Sequence, residues 1–177
     1  MRNNAMVDLE TLGNKPGCAV ISIGAVFFDQ SGIDEGDTFY QVLDVADQLK
    51  RGLTLDAGTL KWWMGQRDAA KKVFSEKGAP VKEALEGFSE WCSQRDEVVI
   101  WGKGANFDPP IIEHLFIEYG IDIPWSFRNV RCFRTFEALF CRNNNVPFGD
   151  GAHNALYDAV YQAKVAVEGA TEHRIIL

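Results

Sequence analysis

Residues 18–28 limit how this chain can fold more than any other segment. They read Cys-Ala-Val-Ile-Ser-Ile-Gly-Ala-Val-Phe-Phe, an almost unbroken apolar run that is rich in β-branched and aromatic side chains. A run of this length and composition is typical of a β-strand that is buried on both faces. The chain is therefore expected to build a covered sheet around this strand.

The patterns on either side of this strand predict an α/β fold. Further strands are predicted at residues 4–9, 38–43, 97–101 and 129–133, with a solvated hairpin loop at 29–37. Helices are predicted at residues 56–64, 67–75, 80–94, 106–119, 134–141 and 154–168. Hairpins join the first three strands and helices separate the later ones, which predicts an antiparallel meander followed by parallel strands. No linker or repeat interrupts the 177 residues, so one domain, residues 1–177, is predicted.

Composition and cysteine usage indicate where the protein works. Hydrophobic residues make up 46% and charged residues 24%, which is ordinary for a soluble globular protein. No apolar run is long enough to span a membrane, and the first residues contain no signal-peptide segment, so a cytoplasmic protein without membrane contact is expected. The four cysteines form no Cys-x-x-Cys pair, which favours free thiols over a zinc site or disulfides.

The net charge of −7 argues against a protein that binds nucleic acid through a basic surface extending over the whole molecule. Any electrostatic attraction to nucleic acid would have to be local. Two basic neighbourhoods are candidates: Lys61, Arg67, Lys71 and Lys72 form the first, and Arg128, Arg131, Arg134 and Arg142 form the second.

Two carboxylates stand at the end of the first predicted strand. Side chains alternate along a strand, so Asp8 and Glu10 project from one face while Leu9 points to the other. Two acids about 7 Å apart repel each other unless a positive group lies between them, and a divalent cation would serve. The alternative is that both acids face water, and for this pair alone the alternative is the better interpretation.

Three later residues are candidate partners of this pair. Asp108 follows the predicted strand 97–101 and precedes Pro109, where it could also cap the helix. Asp158 lies on the margin of an apolar helix stripe, where an unpaired acid is costly, although a solvated edge is equally compatible. His153 precedes Asp158 by five positions, so on one continuous helix the two would face different ways. To meet Asp158, His153 must come from the preceding loop.

Together these residues form three motifs, Asp8-Leu9-Glu10-Thr11, Asn106-Phe107-Asp108 and His153-x4-Asp158. In order and spacing they resemble the DEDDh group of 3′–5′ exonucleases, most closely the compact phage exonuclease A and bacterial exoribonuclease group. The resemblance covers residues 6–168. It implies a ribonuclease-H-like mixed five-stranded sheet, with a three-strand antiparallel meander and two parallel strands, flanked by helices.

The resemblance also implies the chemistry. The enzyme would hydrolyse single-stranded DNA or RNA from a free 3′ end to nucleoside 5′-monophosphates, using two divalent metal ions, Mg²⁺ or Mn²⁺. Asp8, Glu10, Asp108 and Asp158 would hold the metals. His153 would act as the general base, a role that suits imidazole because it titrates near neutral pH.

Substrate contacts follow from the same resemblance. The backbone of Thr11 would bind the terminal 3′-OH, and Leu12 would wedge against the last base. Trp62 and Phe107 are candidate stacking residues, with core packing as an equal alternative. Adjacent tryptophans cannot share a helix face, so one of Trp62 and Trp63 is expected in the core and the other near the surface. Related enzymes pair, and a homodimer with one of these tryptophans at the contact is a further expectation.

Two other interpretations remain open. A non-catalytic nucleic-acid-binding module on the same fold is disfavoured because all four acids and the histidine are present. A polymerase proofreading subunit would need a partner-binding tail, which we do not expect after the last helix. DNA and RNA both stay as substrates, since that choice depends on contacts to the 2′-OH.

Overall fold

The computed structural model describes residues 3–177 of the chain. The strands are β1 (Asn4–Thr11), β2 (Val20–Asp29), β3 (Gly32–Val42), β4 (Val99–Gly102) and β5 (Val130–Cys132). The helices are α1 (Val45–Lys50), α2 (Ala57–Met64), α3 (Asp68–Lys71), α4 (Val81–Ser93), α5 (Asp108–Glu118), α6 (Phe133–Phe140) and α7 (Ala155–His173). A short 3-10 helix, Lys72–Ser75, follows α3 directly.

The five strands form one mixed sheet in the order β3-β2-β1-β4-β5. β2 is antiparallel to both β1 and β3, whereas β4 is parallel to both β1 and β5. The predicted combination of a three-strand meander and two parallel strands is confirmed. Every residue of β2 except the last is buried, as its apolar run predicts.

The predicted hairpin loop at residues 29–37 is wrong in its extent. β3 begins at Gly32, which pairs with Asp29, so only a two-residue turn separates β2 from β3. β3 is an edge strand, and an edge strand tolerates charged side chains because one of its sides is unpaired. Asp37 accepts hydrogen bonds from the Trp91 indole at 2.7 Å and from Arg95 at 2.6 Å. The acidic composition therefore suited a strand here as well as a loop.

Helices cover both faces of the sheet. Val7 and Leu9 of β1 pack in a core cluster with residues of α4 and α5, while Met6 packs in a second cluster with residues of α6 and α7. Because side chains alternate along a strand, Asp8 and Glu10 share the Met6 face and point toward α7. The side of the sheet that carries the predicted acids is therefore the α7 side.

Gly24 brings α7 onto the sheet directly above Asp8. The two residues are paired across β1 and β2, and a Cβ atom on Gly24 would lie 2.1 Å from the backbone of Ala155 and Leu156. Only glycine permits this approach, because any side chain would push the start of α7 away from the sheet. The position of Asp158 over the end of β1 depends on that contact.

All four cysteines carry free thiols; Cys18, Cys92 and Cys141 are buried and Cys132 is half-buried. Across residues 3–177, no helix combines the length and the apolar character needed to cross a membrane.

Candidate active site

A cleft of about 430 Å³ opens where β1 ends. β1 contributes two acids to it, α7 a third, and the loop before α7 a histidine. The residues of its wall that bear on function are Asp8, Glu10, Thr11, Trp62, Phe107, Arg134, His153 and Asp158. Four of the five predicted catalytic residues therefore meet in one cleft, although they are up to 150 positions apart in sequence.

Glu10, His153 and Asp158 form the tightest group in this cleft, since one ligating atom from each lies within 4.8 Å of the others. His153 precedes the N-cap residue Asn154, so it approaches from the loop as predicted. Its backbone is left-handed, with φ of 67°, and its N–H donates to Asp158 Oδ2 at 2.8 Å. The loop is thus tied to the acid that it faces.

Asp108 lies behind the cleft wall and is only 1% exposed. The interpretation of Asp108 as a helix N-cap is wrong, because α5 starts at Asp108 itself and Phe107 holds the cap position. Its Oδ1 accepts from the Leu9 backbone N–H at 3.2 Å and its Oδ2 from that of Lys103 at 2.8 Å. Asp108 therefore joins the ends of β1 and β4, next to Asp8.

Burial raises the pKa values of all four carboxylates, and neighbouring acids raise those of Asp8 and Glu10 further. Burial raises the pKa of Asp8 well above its usual range, and the charges of Asp108, Glu10 and Asp158 raise it further. Burial, followed by the charges of Asp158 and Asp108, raises the pKa of Glu10 to about 8. Burial also raises the pKa of Asp108 to about 7, against the opposing effect of its two backbone donors. Such a cluster is unfavourable without positive charge, and its all-oxygen carboxylate set fits hard divalent cations such as Mg²⁺ or Mn²⁺.

The raised pKa of Glu10 predicts how metal-free stability depends on pH. Between the ordinary value of 4.5 and about 8, the folded state binds a proton that the unfolded state has released. Stability from this group is therefore full below pH 4.5 and is lost as the pH rises through 8.

We expect the Tm measured in EDTA to fall from about pH 5 to about pH 8. The fall should be shallower in Glu10→Gln and unchanged in Glu90→Gln on the exposed side of α4. A rising Tm over this range would contradict the crowded, metal-free cluster.

Gln162 is a site residue that the sequence interpretation missed. It is 3% exposed, and its Nε2 donates to Asp8 Oδ1 at 2.7 Å. Its Oε1 has no hydrogen-bond partner among residues 3–177. Gln162 stands one helical turn after Asp158, so both project from the same face of α7. The sequence did contain a signal for this role, because a glutamine stands in an apolar stripe four positions after the candidate metal ligand Asp158.

Replacing Gln162 with leucine should weaken Mn²⁺ binding by about 10- to 100-fold, the usual range for losing a residue that orients a metal ligand. The substitution nearly keeps the side-chain volume but removes the donor that fixes the Asp8 carboxylate. Binding can be measured by electron paramagnetic resonance of free Mn²⁺, independently of turnover. The matched control is Gln66→Leu, since the Gln66 amide donates to the Trp62 carbonyl on the surface. Equal Mn²⁺ affinity in Gln162→Leu and the wild type would refute this role.

The two tryptophans separate as predicted. Trp63 is 2% exposed, and its indole N–H donates to the Thr11 carbonyl at 2.9 Å. Trp62 is 46% exposed, and its ring meets the His153 imidazole edge-on at 4.9 Å. Trp62 therefore buttresses the histidine in addition to offering an exposed ring, while Phe107 lines the cleft half-buried. Stacking of either ring on a base stays a prediction.

The structure places Leu12 away from the cleft. Its side chain is 5% exposed and packs in a cluster with Ile21 and Val73. Its backbone N–H donates to the Ala19 carbonyl, and its carbonyl accepts from Asp56. Leu12 borders a separate cavity instead, and its role as a base wedge stays a prediction. Thr11 does border the cleft, although its hydroxyl is engaged with the Gly13 carbonyl at 2.6 Å.

Of the second basic neighbourhood, only Arg134 lies in the cleft wall. Its charge lowers the pKa of Asp108 and so acts against the effect of burial. The Arg131 guanidinium instead donates to the backbone carbonyl of Arg128. The Arg142 guanidinium likewise donates to the backbone carbonyl of Ala138. Arg134 is therefore the member of this neighbourhood that faces the cleft.

The model of the Rv2179c-like 3′-5′ exoribonuclease domain matches residues 3–169. No curated protein matches the chain in sequence. Among solved structures, the nuclease domain of 3′hExo, a DEDDh family member bound to rAMP, is similar over 98% of this chain and 94% of that chain (TM-score 0.64, 11% identity). E. coli Exonuclease I in complex with a dT13 oligonucleotide is similar over 97% of this chain (TM-score 0.65, 14% identity). The match covers only 41% of Exonuclease I. At these sequence identities, both similarities establish the fold alone. The predicted ribonuclease-H-like architecture is thereby confirmed.

Proposed function

This chain belongs to the family of Rv2179c-like 3′-5′ exoribonuclease domains, and from that premise we propose that it shortens single-stranded RNA from the 3′ end, releasing nucleoside 5′-monophosphates. The observation that carries the proposal is the convergence of Glu10, His153 and Asp158 within 4.8 Å at the end of β1. Single-stranded DNA is the second candidate substrate, because the choice between DNA and RNA depends on contacts to the 2′-OH.

The acids are proposed to hold two divalent cations, Mg²⁺ or Mn²⁺. Asp8, Glu10 and Asp158 face the cleft, and Asp108 supports them from behind. Ions bound there would neutralise charge on the scissile phosphate and on the leaving oxygen, and would make a water easier to deprotonate. The raised pKa values of Asp8 and Glu10 support this assignment, since a cation relieves the repulsion that raises them.

The chain's own groups then have separate tasks. His153 accepts the proton of the attacking water, with its imidazole held against the edge of the Trp62 ring. Gln162 fixes the rotamer of Asp8 by donating to Oδ1, and so orients a carboxylate that would help to hold the cations. The positive guanidinium of Arg134, in the cleft wall, attracts the negatively charged phosphate of the substrate. Trp62 and Phe107 border the cleft where the terminal base would lie, and stacking there contributes about 1–3 kcal/mol per base without sequence preference.

Degradation of matched single-stranded RNA and DNA oligonucleotides tests the proposal. Each is prepared with a free and with a blocked 3′ end and is incubated with Mg²⁺, Mn²⁺ or EDTA. We expect stepwise shortening of the free-ended RNA, 5′-mononucleotides as products, and no reaction in EDTA. Internal cleavage of the blocked strands, or products that carry a 3′-phosphate, would rule out this activity.

A further inference from the structure

Helix α2 leaves three large apolar side chains exposed to solvent. Of its eight residues only Trp63 is buried. Leu60, Trp62 and Met64 are 40%, 46% and 73% exposed. A helix of this length is not stable by itself, so it depends on the Trp63 anchor and on the Asp56 cap, which accepts from Thr59 N at 2.7 Å. Residues two positions apart do not share a helix face, so Trp62, which borders the cleft, is the member of this set that can extend the cleft surface.

This surface continues from the cleft onto the following 3-10 helix. The Trp63 ring meets the exposed Trp62 ring at 5.1 Å and the Phe74 ring at 5.2 Å. Phe74 is 46% exposed, and it also lines a separate cavity of about 410 Å³ that Leu12 borders as well. Because both exposed rings touch Trp63, one flexible ligand can reach from Trp62 in the cleft wall to Phe74.

The same segment is basic in an acidic protein. Residues 57–77 contain five lysines and arginines and two acids, a local charge of +3, whereas the whole chain carries −7. Arg67 pairs with Asp150 at 3.7 Å and Lys71 with Asp68 at 3.2 Å. Within the described residues, Lys61, Lys72 and Lys77 form no ion pair. Three lysines in the segment that carries both exposed rings are therefore available to a ligand, and Lys77 lines the same cavity as Phe74.

We propose that residues 57–77, the basic aromatic surface, bind the part of a single-stranded nucleic acid that lies upstream of the terminal nucleotide. Phosphates would meet the unpaired lysines, and bases would stack on Trp62 and Phe74, the combination that single-strand binders use without sequence preference. A second copy of the chain is the weaker occupant, because a symmetric contact would place this positive surface against its own positive copy and would bring together two chains of −7. The inference rests on the proposed function for the direction of the strand.

Consequently, affinity should increase with strand length up to the span of this surface. The charge reversal Lys61→Glu/Lys72→Glu should raise the Kd for a 12-nucleotide RNA by about tenfold or more, and should reduce the slope of log K against log salt by about 0.7 for each phosphate that the lysines no longer bind. Phe74→Ala should weaken binding by removing one stacking platform, with little effect on the salt slope. Lys82→Glu is the matched control, since it reverses an exposed lysine on α4, on the other face of the sheet.

Binding is measured by fluorescence anisotropy of 5′-labelled RNAs of 2, 4, 8 and 12 nucleotides, in an Asp8→Asn background that prevents hydrolysis. In parallel, the same surface variants with Asp8 intact are assayed with thymidine 5′-monophosphate p-nitrophenyl ester, which has no upstream nucleotide. We expect the lysine variant to lose affinity for long strands and to keep ester hydrolysis within about twofold. If the wild type hydrolyses neither ester nor RNA, the proposed function fails, yet anisotropy still tests the surface.

Three results would overturn the inference. Unchanged affinity of the lysine variant for 12-nucleotide RNA would show that the lysines bind no phosphate. If the lysine variant lost ester hydrolysis and RNA affinity to the same degree, its substitutions would be acting on the cleft and not on an upstream strand. Conversion of a dimer to a monomer by Met64→Glu, measured by light scattering, would assign the surface to a second copy of the chain.

Discussion

Replacing Asp8 with asparagine is expected to abolish hydrolysis and, at the same time, to stabilise the metal-free protein. The loss of turnover should exceed the roughly 10⁴-fold upper range for removing a general base, because Asp8 is central to the proposed cation site. The gain in stability has a separate cause. Burial and three neighbouring acids raise the pKa of Asp8 well above its usual range, so its charge is unfavourable in the folded state. Asparagine removes that charge and keeps an Oδ1 that can accept from Gln162.

Both effects can be measured on one preparation. Turnover is followed on single-stranded RNA with Mn²⁺, and the Tm is measured at about pH 8 with EDTA and with Mn²⁺. For a protein of this size each 1 kcal/mol changes the Tm by about 2–4 °C, so a rise of several degrees in EDTA is expected. The further increase that Mn²⁺ gives to the wild type should be lost. Asp96→Asn, at an exposed turn before β4, serves as the control and should change neither quantity. An active Asp8→Asn enzyme would exclude the proposed metal set.

The elements that local pattern specifies were predictable from sequence. Asp8 and Glu10 share a face because strand side chains alternate, whatever surrounds the strand. His153 had to leave the helix because a five-residue separation would turn it away from Asp158. Both inferences need only the geometry of one element, and the structure has the same arrangement.

The features that depend on contacts between distant elements were not predictable. Asp108 resembles a helix cap in sequence, and its actual partners, Leu9 N–H and Lys103 N–H, follow from the adjacency of β1 and β4. Gln162 reaches Asp8 because Gly24 lets α7 lie against β2, and no periodicity encodes that approach. Leu12 is the opposite case. A side chain next to the motif was expected to face the substrate, but a third apolar cluster buries it instead.

His153 presents the sharpest choice between two roles, because the geometry allows both. Its imidazole can accept a proton from water, and one of its ring nitrogens also lies within 4.8 Å of a carboxylate oxygen of Glu10 and of Asp158, close enough for all three to bind one ion. His153→Ala should lower turnover by roughly 10²–10⁴-fold if the residue is a general base. His114→Ala is the control, since His114 lies on α5 beside a different cavity, and it should leave turnover unchanged.

Mn²⁺ affinity separates the two roles. As a general base, His153 contributes no coordinate bond, so His153→Ala should bind Mn²⁺ nearly as well as the wild type, and added imidazole should restore part of the rate. As a ligand, its removal should weaken Mn²⁺ binding to a degree comparable with Asp8→Asn. The backbone N–H of His153 already holds Asp158 at 2.8 Å, and alanine retains that N–H. The loop contact therefore survives the substitution, and a loss of turnover with metal affinity preserved would identify the imidazole as the proton acceptor.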